Sequence, residues 1–192
     1  MSDKIVLVLG DTHIPDRVTE IPRKLKSFIE SESFDLVLST GDLTSQEVLS
    51  WMKKIAPLKV VRGNMDYLPL PEKEVLHLPP VKIGLVHGTG IWPRGDTMQL
   101  LKVAETLGTK ILISGHTHHP DVKLAKNTLL LNPGSATGAW GGSSDWGLPS
   151  VMTLTLSESE IKVVFFLLER GELKKKEEVF KIQGEGIAAQ RP

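Results

Sequence analysis

The sequence predicts a single α/β sandwich, and two observations support this fold class. In the first part of the chain, short runs rich in Val, Ile and Leu alternate with segments of helical periodicity. After position 119 only strand-like runs follow, which predicts a mostly antiparallel sheet. With 192 residues and 40% apolar content, the chain can bury a core and has the length of one domain. We therefore predict one domain over residues 1–192, with its last few residues frayed.

The predicted elements follow from apolar spacing and from helix-ending residues. Five runs in the first part predict buried strands: KIVLVL, DLVLS, PLKVV, VKIGLV and KILIS. Three segments between them predict helices, namely IPRKLKSFIES, SQEVLSWMKKI and DTMQLLKVAETLG. Pro22 suits a first helical turn, Asp96 an N-cap and Gly108 a helix stop. In the second part, DVKLAK, NTLLLN, SVMTLTL, IKVVFFLL and LKKKEEVFKI predict strands, the last one a charged edge strand.

Composition narrows the possible classes of function. Lys plus Arg and Asp plus Glu both number 23, so no net positive charge favours DNA or RNA as a partner. The chain has no cysteine, which excludes disulfides, thiolate metal ligands and a cysteine nucleophile. We see no signal peptide, and no run approaches the roughly 18 apolar residues of a membrane helix. We expect a cytoplasmic protein without a membrane partner, and a homo-oligomer stays open.

Five strand endings share one local pattern, in which an apolar run is followed by glycine and a residue able to bind metal. They are LVLGDTH, LSTGD, VVRGN, GLVHG and ISGHTH. Ligands of open α/β sheets bind beyond the carboxyl ends of the strands, so these endings can converge. In an extended chain, residues two apart point the same way, which would aim Asp11 with His13 into one crevice. The candidate ligands are Asp11, His13, Asp42, Asn64, His87, His116 and His118.

Seven oxygen and nitrogen ligands exceed the usual number for one ion. They suit two divalent ions about 3.5–4 Å apart that share a carboxylate. Singly, each residue has an ordinary alternative: a strand-end Asp is often a cap, a lone His is often a satisfied polar group, and the RGN at Asn64 is typical of a turn. The context shared by both aspartates and four of the six histidines favours a metal site. We predict that His77 is a strand side chain and that His119 flanks the site.

These motifs carry a family resemblance. DTH at 11–13, GD at 41–42, GN at 63–64, VHG at 86–88 and GHTH at 115–118 resemble, in order and spacing, the calcineurin-like metallophosphoesterase superfamily. The compact length and NPGSATGA at 132–139 resemble its small YfcE-like phosphodiesterase branch. GDTHIPDR, KIGLVHG and ILISGHTH are similar to the small phosphoesterase-fold subunit of retromer, over nearly the whole chain. The resemblance implies a four-layer α-β-β-α sandwich of two mixed sheets flanked by helices, and a metal-dependent phosphodiesterase acting on a small phosphoester.

The resemblance also implies a division of the ligands between two ions. In the family, one metal is bound by the residues matching Asp11, His13 and His118, and the other by those matching Asn64, His87 and His116, with the match to Asp42 bridging both. The family indicates Mn2+, and a ligand set without sulfur also admits Ni2+, Fe2+, Co2+ or Zn2+. The pair would supply hydroxide at neutral pH, so no protein nucleophile is needed.

Two departures from known patterns bear on the function. The wider superfamily often has a leaving-group acid directly after GN, where this chain has Met65. His119 and Asp66 are therefore the candidate proton donors, and we expect aryl diesters to react faster than alkyl esters. The retromer subunit is degraded at the bridging Asp and at the Asn, whereas this chain keeps Asp42 and Asn64. An active enzyme is favoured over a non-catalytic protein-binding scaffold, and the zero net charge weighs against a nuclease.

The loops after VHG and NPGS are rich in tryptophan. Trp92, Trp140 and Trp146, together with Arg94, could form an aromatic wall for a base or an aryl group. Packing beneath a long loop is the alternative for the same residues.

Overall fold

The computed structural model describes residues 3–142, 147–184 and 186–189. Its strands are β1 (Lys4–Leu9), β2 (Leu36–Ser39), β3 (Leu58–Val60), β4 (Lys73–Leu78), β5 (Val81–Val86), β6 (Ile111–Ile113), β7 (Pro120–Ala125), β8 (Thr128–Pro133), β9 (Ser150–Leu156), β10 (Glu160–Glu169), β11 (Glu172–Gln183) and β12 (Gly186–Ala189). Its helices are α1 (Arg23–Ser31), α2 (Gln46–Ile55) and α3 (Thr97–Leu107). One sheet has the order β12-β11-β10-β9-β1-β2-β3 and the other the order β4-β5-β6-β8-β7.

The two sheets pack face to face between layers of helix. Side chains of both sheets, among them Val8, Ile83 and Met152, form the central core. On the outer face of the seven-stranded sheet, β1 packs against α1 and α2 through residues such as Leu25. On the outer face of the five-stranded sheet, α3 buries Leu100. The order of layers is therefore helix, sheet, sheet, helix, and the predicted four-layer α/β sandwich is confirmed.

Local capping explains where the helices begin and end. Asp96 accepts a hydrogen bond from the Gln99 backbone N–H at 2.9 Å, as predicted for an N-cap. Gly108 ends α3 with a left-handed backbone, φ 64°, a conformation that glycine adopts without a Cβ clash. Ser45 caps α2 by accepting from the Val48 backbone N–H. Pro22 lies at the N-cap of α1, one residue before the predicted first turn.

Two sequence predictions about the second part of the chain need correction, and β12 was not predicted. β7 and β8 belong to the five-stranded sheet, where β8 runs parallel to β6, so the second part is not one antiparallel sheet. LKKKEEVFKI is not the edge of its sheet along its whole length, because β12 pairs with residues Phe180–Gln183 of β11. The apolar pattern of GIAA is too short to predict β12. In the first part of the chain, the sequence predicted a strand position only for His77 of β4. The structure pairs β4 with β5.

The helices are short and cover the outer faces of the sheets. The longest, α3, has 11 residues. Within the described ranges, no helix combines the length and the apolar character needed to cross a membrane. One domain over residues 1–192 stays a prediction, and the frayed end predicted for residues 190–192 lies outside the described residues.

Candidate metal centre

Loops that follow β1, β2, β3, β5 and β6 meet at one end of the two sheets and carry all seven candidate ligands. Backbone hydrogen bonds hold these loops together. The Asp11 N–H donates to Gly41 O at 2.9 Å, and the Gly115 N–H donates to His87 O at 2.9 Å. The carboxyl ends of β1, β2, β3, β5 and β6 therefore converge as the sequence predicted.

The backbone at this site is left-handed at five of the seven positions. The φ values are 50° at Asp11, 47° at His13, 53° at Asp42, 69° at His116 and 62° at His118. Non-glycine residues adopt such angles in only a few per cent of cases, and each costs of order 1 kcal/mol. The prediction that an extended chain aims Asp11 and His13 together is therefore wrong in its geometry. Tight left-handed turns bring these side chains inward instead.

The candidate ligands form two clusters. In the first, His118 Nε2 lies 3.2 Å from His13 Nε2 and 3.3 Å from Asp11 Oδ1. In the second, His87 Nε2 lies 3.0 Å from Asn64 Oδ1 and 3.2 Å from His116 Nδ1. These clusters have the membership that the family resemblance implies for the two ions.

Asp42 lies between the clusters. Its Oδ2 is 3.4 Å from His13 Nε2 and also 3.4 Å from His87 Nε2. Its Oδ1 accepts the Met65 backbone N–H at 2.8 Å, which fixes the orientation of the carboxylate. Ligand atoms of Asp11, Asp42 and His87 lie within 4.8 Å of one another, as do those of Asp11, His13 and His118. The Asp42 carboxylate therefore reaches an imidazole of each cluster, and Asp11 belongs to both of these groups.

Hydrogen bonds to backbone carbonyls orient two of the imidazoles. His87 Nδ1 is 2.8 Å from Thr40 O, and His118 Nδ1 is 2.6 Å from Ala139 O. A carbonyl oxygen only accepts, so each Nδ1 carries a proton, and each Nε2, the nitrogen left to bind a metal, points into the site. His87 Nε2 then faces the acceptor oxygens of Asn64 and Asp42. Atoms with lone pairs that converge on one point repel one another unless a cation lies between them. This set of ligand atoms therefore fits divalent metal ions.

Burial keeps two histidines neutral. Burial, with a smaller effect of Arg17, lowers the pKa of His13 to about 3. Burial and the neighbouring His87 lower the pKa of His116 to about 4. Both imidazoles are therefore unprotonated at neutral pH, which is the state that binds metal.

Three further groups at the site, His118, Asp11 and Asp42, have shifted pKa values. Burial is the largest single effect on His118 and lowers its pKa, but the hydrogen bond to Asp11, the charge of that carboxylate and the hydrogen bond to the Ala139 carbonyl together raise the pKa overall. Burial tends to raise the pKa of Asp11, and the same hydrogen bond with the nearby imidazoles lowers it overall. Burial raises the pKa of Asp42.

Asp66 binds backbone N–H groups of the loops that carry Asp42 and Asn64. Its carboxylate accepts backbone N–H groups of Asp42 at 2.7 Å, Leu43 at 2.8 Å, Thr44 at 3.0 Å and Gly63 at 2.9 Å. These four N–H donors engage both oxygens of the carboxylate and tie it to the backbone. These contacts favour a structural role for Asp66 over the proton-donor role predicted from the sequence.

His119 is exposed and stands apart from the seven ligands. It lines a cavity of about 230 Å3 together with Arg94 and Asp121, whereas Asn64 and His87 line a different one. Its backbone is fixed by Thr117, whose Oγ accepts the His119 N–H at 3.2 Å. His77 is an exposed side chain of β4, as predicted.

The loop after NPGSATGA closes one side of the site. Arg17 donates to Trp140 O, and Arg94 donates to Gly141 O. Gly141 lies so close to the His118 ring that a Cβ there would stand 2.8 Å from Cγ of His118. Trp92 is 78% exposed and Trp140 is 46% exposed, so neither is packed beneath a loop. The predicted aromatic wall also included Trp146, which lies outside the described residues.

Sequence reasoning missed the groups that orient the ligands. Thr40 and Ala139 act through their carbonyl oxygens, which every residue has, so no residue type marks them. Arg17 acts on a loop more than 120 positions away. Only the glycines beside the ligands, such as Gly63, were a usable signal.

The fold and the site together define a class of protein. Residues 5–159 match the family model of the calcineurin-like phosphoesterase superfamily domain. The chain belongs to this superfamily.

Individual relatives sharpen the placement. The chain is 44% identical over 133 residues to a probable metallophosphoesterase of Methanocaldococcus jannaschii, which covers 69% of this chain and 68% of the relative. Among solved structures, a single mutant of Vps29 from Entamoeba histolytica has a TM-score of 0.87 at 35% identity, covering 93% of this chain and 99% of that chain. Wild-type Vps29 from Entamoeba histolytica complexed with Zn2+ has a TM-score of 0.84 at 35% identity, covering 90% and 97%. The resemblance to the superfamily and to the retromer subunit Vps29 is confirmed.

Proposed function

We propose that this protein is a two-metal phosphodiesterase that hydrolyses small phosphodiesters. The observation that carries the proposal is the position of Asp42, whose Oδ2 is 3.4 Å from an imidazole of each cluster. A carboxylate in this position suits a bridging ligand of two divalent ions. Mn2+ as the ion and the cytoplasm as the location belong to the same proposal.

The residues of the chain would divide the work as follows. One ion would be held by Asp11, His13 and His118, and the other ion by Asn64, His87 and His116. Asp42 would bind both ions. When bound, the two ions would supply a hydroxide nucleophile at neutral pH and stabilise negative charge on the phosphoryl oxygens. The carbonyls of Thr40 and Ala139 hold His87 and His118 in the tautomer that binds metal. Asp66 fixes the loop of Asp42 by its N–H contacts.

Protonation of the leaving group is a separate step of the proposed reaction. Met65 follows Asn64, and its thioether has no proton to give. His119 stays a candidate, and a movement of its side chain out of its own cavity would be needed. The pH–rate profile of His119→Ala tests this role, and an unchanged profile removes it.

A non-catalytic scaffold is the second candidate function, and the likeness to Vps29 favours it. Fold does not determine function within such a family, so the discriminating feature is the site. A scaffold has no need of the full ligand set, whereas this chain keeps both Asp42 and Asn64 in contact with their clusters.

Metal analysis combined with an ester panel tests the proposal. We expect about two divalent ions per chain and turnover of bis(p-nitrophenyl) phosphate that exceeds turnover of p-nitrophenyl phosphate. Asp42→Asn keeps the shape of the side chain and should lower kcat/KM by at least about 100-fold, with loss of one or both ions.

A matched variant controls for a general loss of charge. Asp121→Asn removes a carboxylate that lies on the surface and pairs with Lys123 at 2.8 Å. It should keep both ions and full turnover. If Asp42→Asn binds metal and cleaves the diester as well as the parent protein does, the catalytic proposal is wrong. A parent protein that cleaves no ester of the panel supports the scaffold.

A further inference from the structure

Helix α3 carries an apolar stripe that the core does not fully cover. Leu100 and Ala104 are buried against Leu112 and Leu130 of the five-stranded sheet. Beside them, Val103 and Leu107 are four positions apart and therefore on one face of the helix. Both pack against the same core but are only partly buried. The open side of this stripe is available to a ligand.

The loop after β5 extends this stripe toward the metal centre. Gln99 fastens the loop to α3, because its Nε2 donates to Trp92 O at 2.5 Å and its Oε1 accepts the Trp92 N–H at 3.3 Å. The Ile91 N–H donates to Gly88 O at 3.3 Å, which closes the turn directly after His87. Ile91 is thereby held against the α3 cluster as another partly buried apolar side chain.

Two cavities join along this stripe. The first has a volume of about 520 Å3, and its lining includes Asn64 and His87 of the metal centre as well as Lys73, Ile91 and Val103. The second has a volume of about 500 Å3 and runs over Thr106 and Leu107. It shares Lys73, Ile91 and Val103 with the first. We call the joined cavities the α3 groove, and either one has the volume of a small-ligand site.

The second cavity of the α3 groove, which runs over Thr106 and Leu107, has an amphiphilic lining. Its polar neutral groups already have partners: the Gln99 amide binds Trp92, and Thr106 Oγ1 donates to Lys102 O at 2.8 Å. Such a surface offers little to a nucleobase or a sugar, which need free donors and acceptors. The apolar side chains suit an alkyl group, and the described lining holds two lysines and no carboxylate. Lysine stems add apolar surface while their ammonium groups face water.

We propose that the α3 groove is a substrate subsite, and that the substrate is an amphiphilic phosphodiester. Its phosphate would lie at Asn64 and His87, and an alkyl arm would lie over Ile91, Val103 and Leu107. Val103 is then a specificity-determining residue, since it belongs to both cavities. The assignment of a substrate rests on the proposed phosphodiesterase function.

A chain-length series tests the subsite. Methyl, butyl and octyl p-nitrophenyl phosphodiesters share one leaving group and are compared below the concentrations at which they form micelles. We expect kcat/KM to rise at least about tenfold from methyl to octyl, since each methylene buried on apolar surface can contribute up to about fourfold. Val103→Asn should remove most of this rise. Equal kcat/KM values for methyl and octyl overturn the proposal.

Leu101→Asn is the matched control. Leu101 is also a partly buried apolar residue of α3, but it lines a different cavity of the helix, with Met98 and Glu105. It should lose stability to a similar degree and keep the chain-length dependence. If Val103→Asn and Leu101→Asn lose the chain-length dependence equally, the loss has a structural cause and the subsite proposal is wrong. Val103→Thr keeps the shape of valine and serves if Val103→Asn does not fold.

Phosphonate binding separates this proposal from the proposed function. Methylphosphonate and octylphosphonate cannot be turned over, and their affinities for the metal-loaded protein are measured by calorimetry. If no diester is cleaved but octylphosphonate binds more tightly in a Val103-dependent manner, the enzyme proposal fails and the groove stands. If bis(p-nitrophenyl) phosphate is cleaved but neither series depends on chain length, the enzyme proposal stands and the groove fails.

Discussion

The carboxylate of Asp66 accepts the backbone N–H of Asp42 at 2.7 Å, although Asp66 itself reaches none of the candidate ligand atoms through a described contact. The same carboxylate accepts the Gly63 N–H at 2.9 Å. It therefore joins the loop that carries Asp42 to the loop that carries Asn64. One side chain outside the ligand set determines how far apart two proposed ligands lie.

Asp66→Asn should weaken metal binding without changing any ligand. An amide keeps one acceptor oxygen but loses the charge that strengthens the contacts with N–H donors. We expect metal affinity to fall about 10- to 100-fold and the free energy of unfolding to fall by about 1–3 kcal/mol. Calorimetric titration with Mn2+ and urea denaturation measure the two effects.

Asp35→Asn is the control for this prediction. Asp35 also accepts a backbone N–H, that of Ile5 at 2.7 Å, but it lies at the opposite end of the parallel strands. Its loss should leave metal affinity unchanged. An Asp66→Asn protein that binds metal like the parent would show that the N–H contacts do not position the ligands.

Gly63→Ala should weaken metal binding at the cluster that contains Asn64. A Cβ at this position would overlap Oδ1 of Asp42 and come within 2.6 Å of its Cγ. The Asp42 carboxylate must then turn or the loop must move, and we expect at least about a 10-fold loss of affinity. Gly171→Ala is the control: it adds a methyl group where no atom lies within 4 Å, at φ 79°, and should cost only about 1 kcal/mol of stability. Equal metal affinities of the two variants would contradict the prediction.

The sequence was sufficient to predict that these seven side chains come together, because each lies within five residues after the end of a strand whose apolar run is unambiguous. His87 after VKIGLV is an example, as β5 ends at Val86. The left-handed backbone at Asp11 and His13 was not predictable, because aspartate and histidine adopt it in only a minority of cases and the surrounding loops impose it here. Strand propensity alone also could not assign β8 to the sheet that contains β6, because tertiary packing decides which strands pair.

Turnover should depend steeply on the leaving group. Met65 stands where the wider superfamily often has an acid, and its side chain, 41% exposed, cannot protonate an alkoxide. General acid catalysis typically contributes 10²–10⁴-fold, so we expect alkyl diesters to react at least about 100-fold more slowly than aryl diesters. A plot of log kcat against leaving-group pKa measures the dependence. A flat plot means that a proton donor is present, and a flat plot that becomes steep in His119→Ala identifies it.

The stability of the metal-free protein should depend on pH through its buried histidines. The pKa of His13 falls from 6.5 to about 3 on folding, and that of His116 to about 4. A pKa that is lower in the folded state means that the unfolded chain binds the proton more tightly, so stability is lost as pH falls below 6.5. Asp42, whose pKa is raised, opposes this loss at pH values above 3.8. His118, with its raised pKa, stabilises the folded state fully below pH 6.5 and loses this effect at higher pH.

The balance of these groups gives a slope with a defined sign. Between pH 4.5 and 6 the unfolded chain binds two more protons at His13 and His116, and up to one fewer at Asp42, so about one proton is taken up on unfolding. The free energy of unfolding should fall by about 1 kcal/mol for each unit of decreasing pH. Urea denaturation in the presence of EDTA measures it. His77→Asn, at an exposed position of β4, should leave the slope unchanged, whereas His13→Asn should flatten it. A slope of the opposite sign would contradict the lowered pKa values of His13 and His116 in the folded protein.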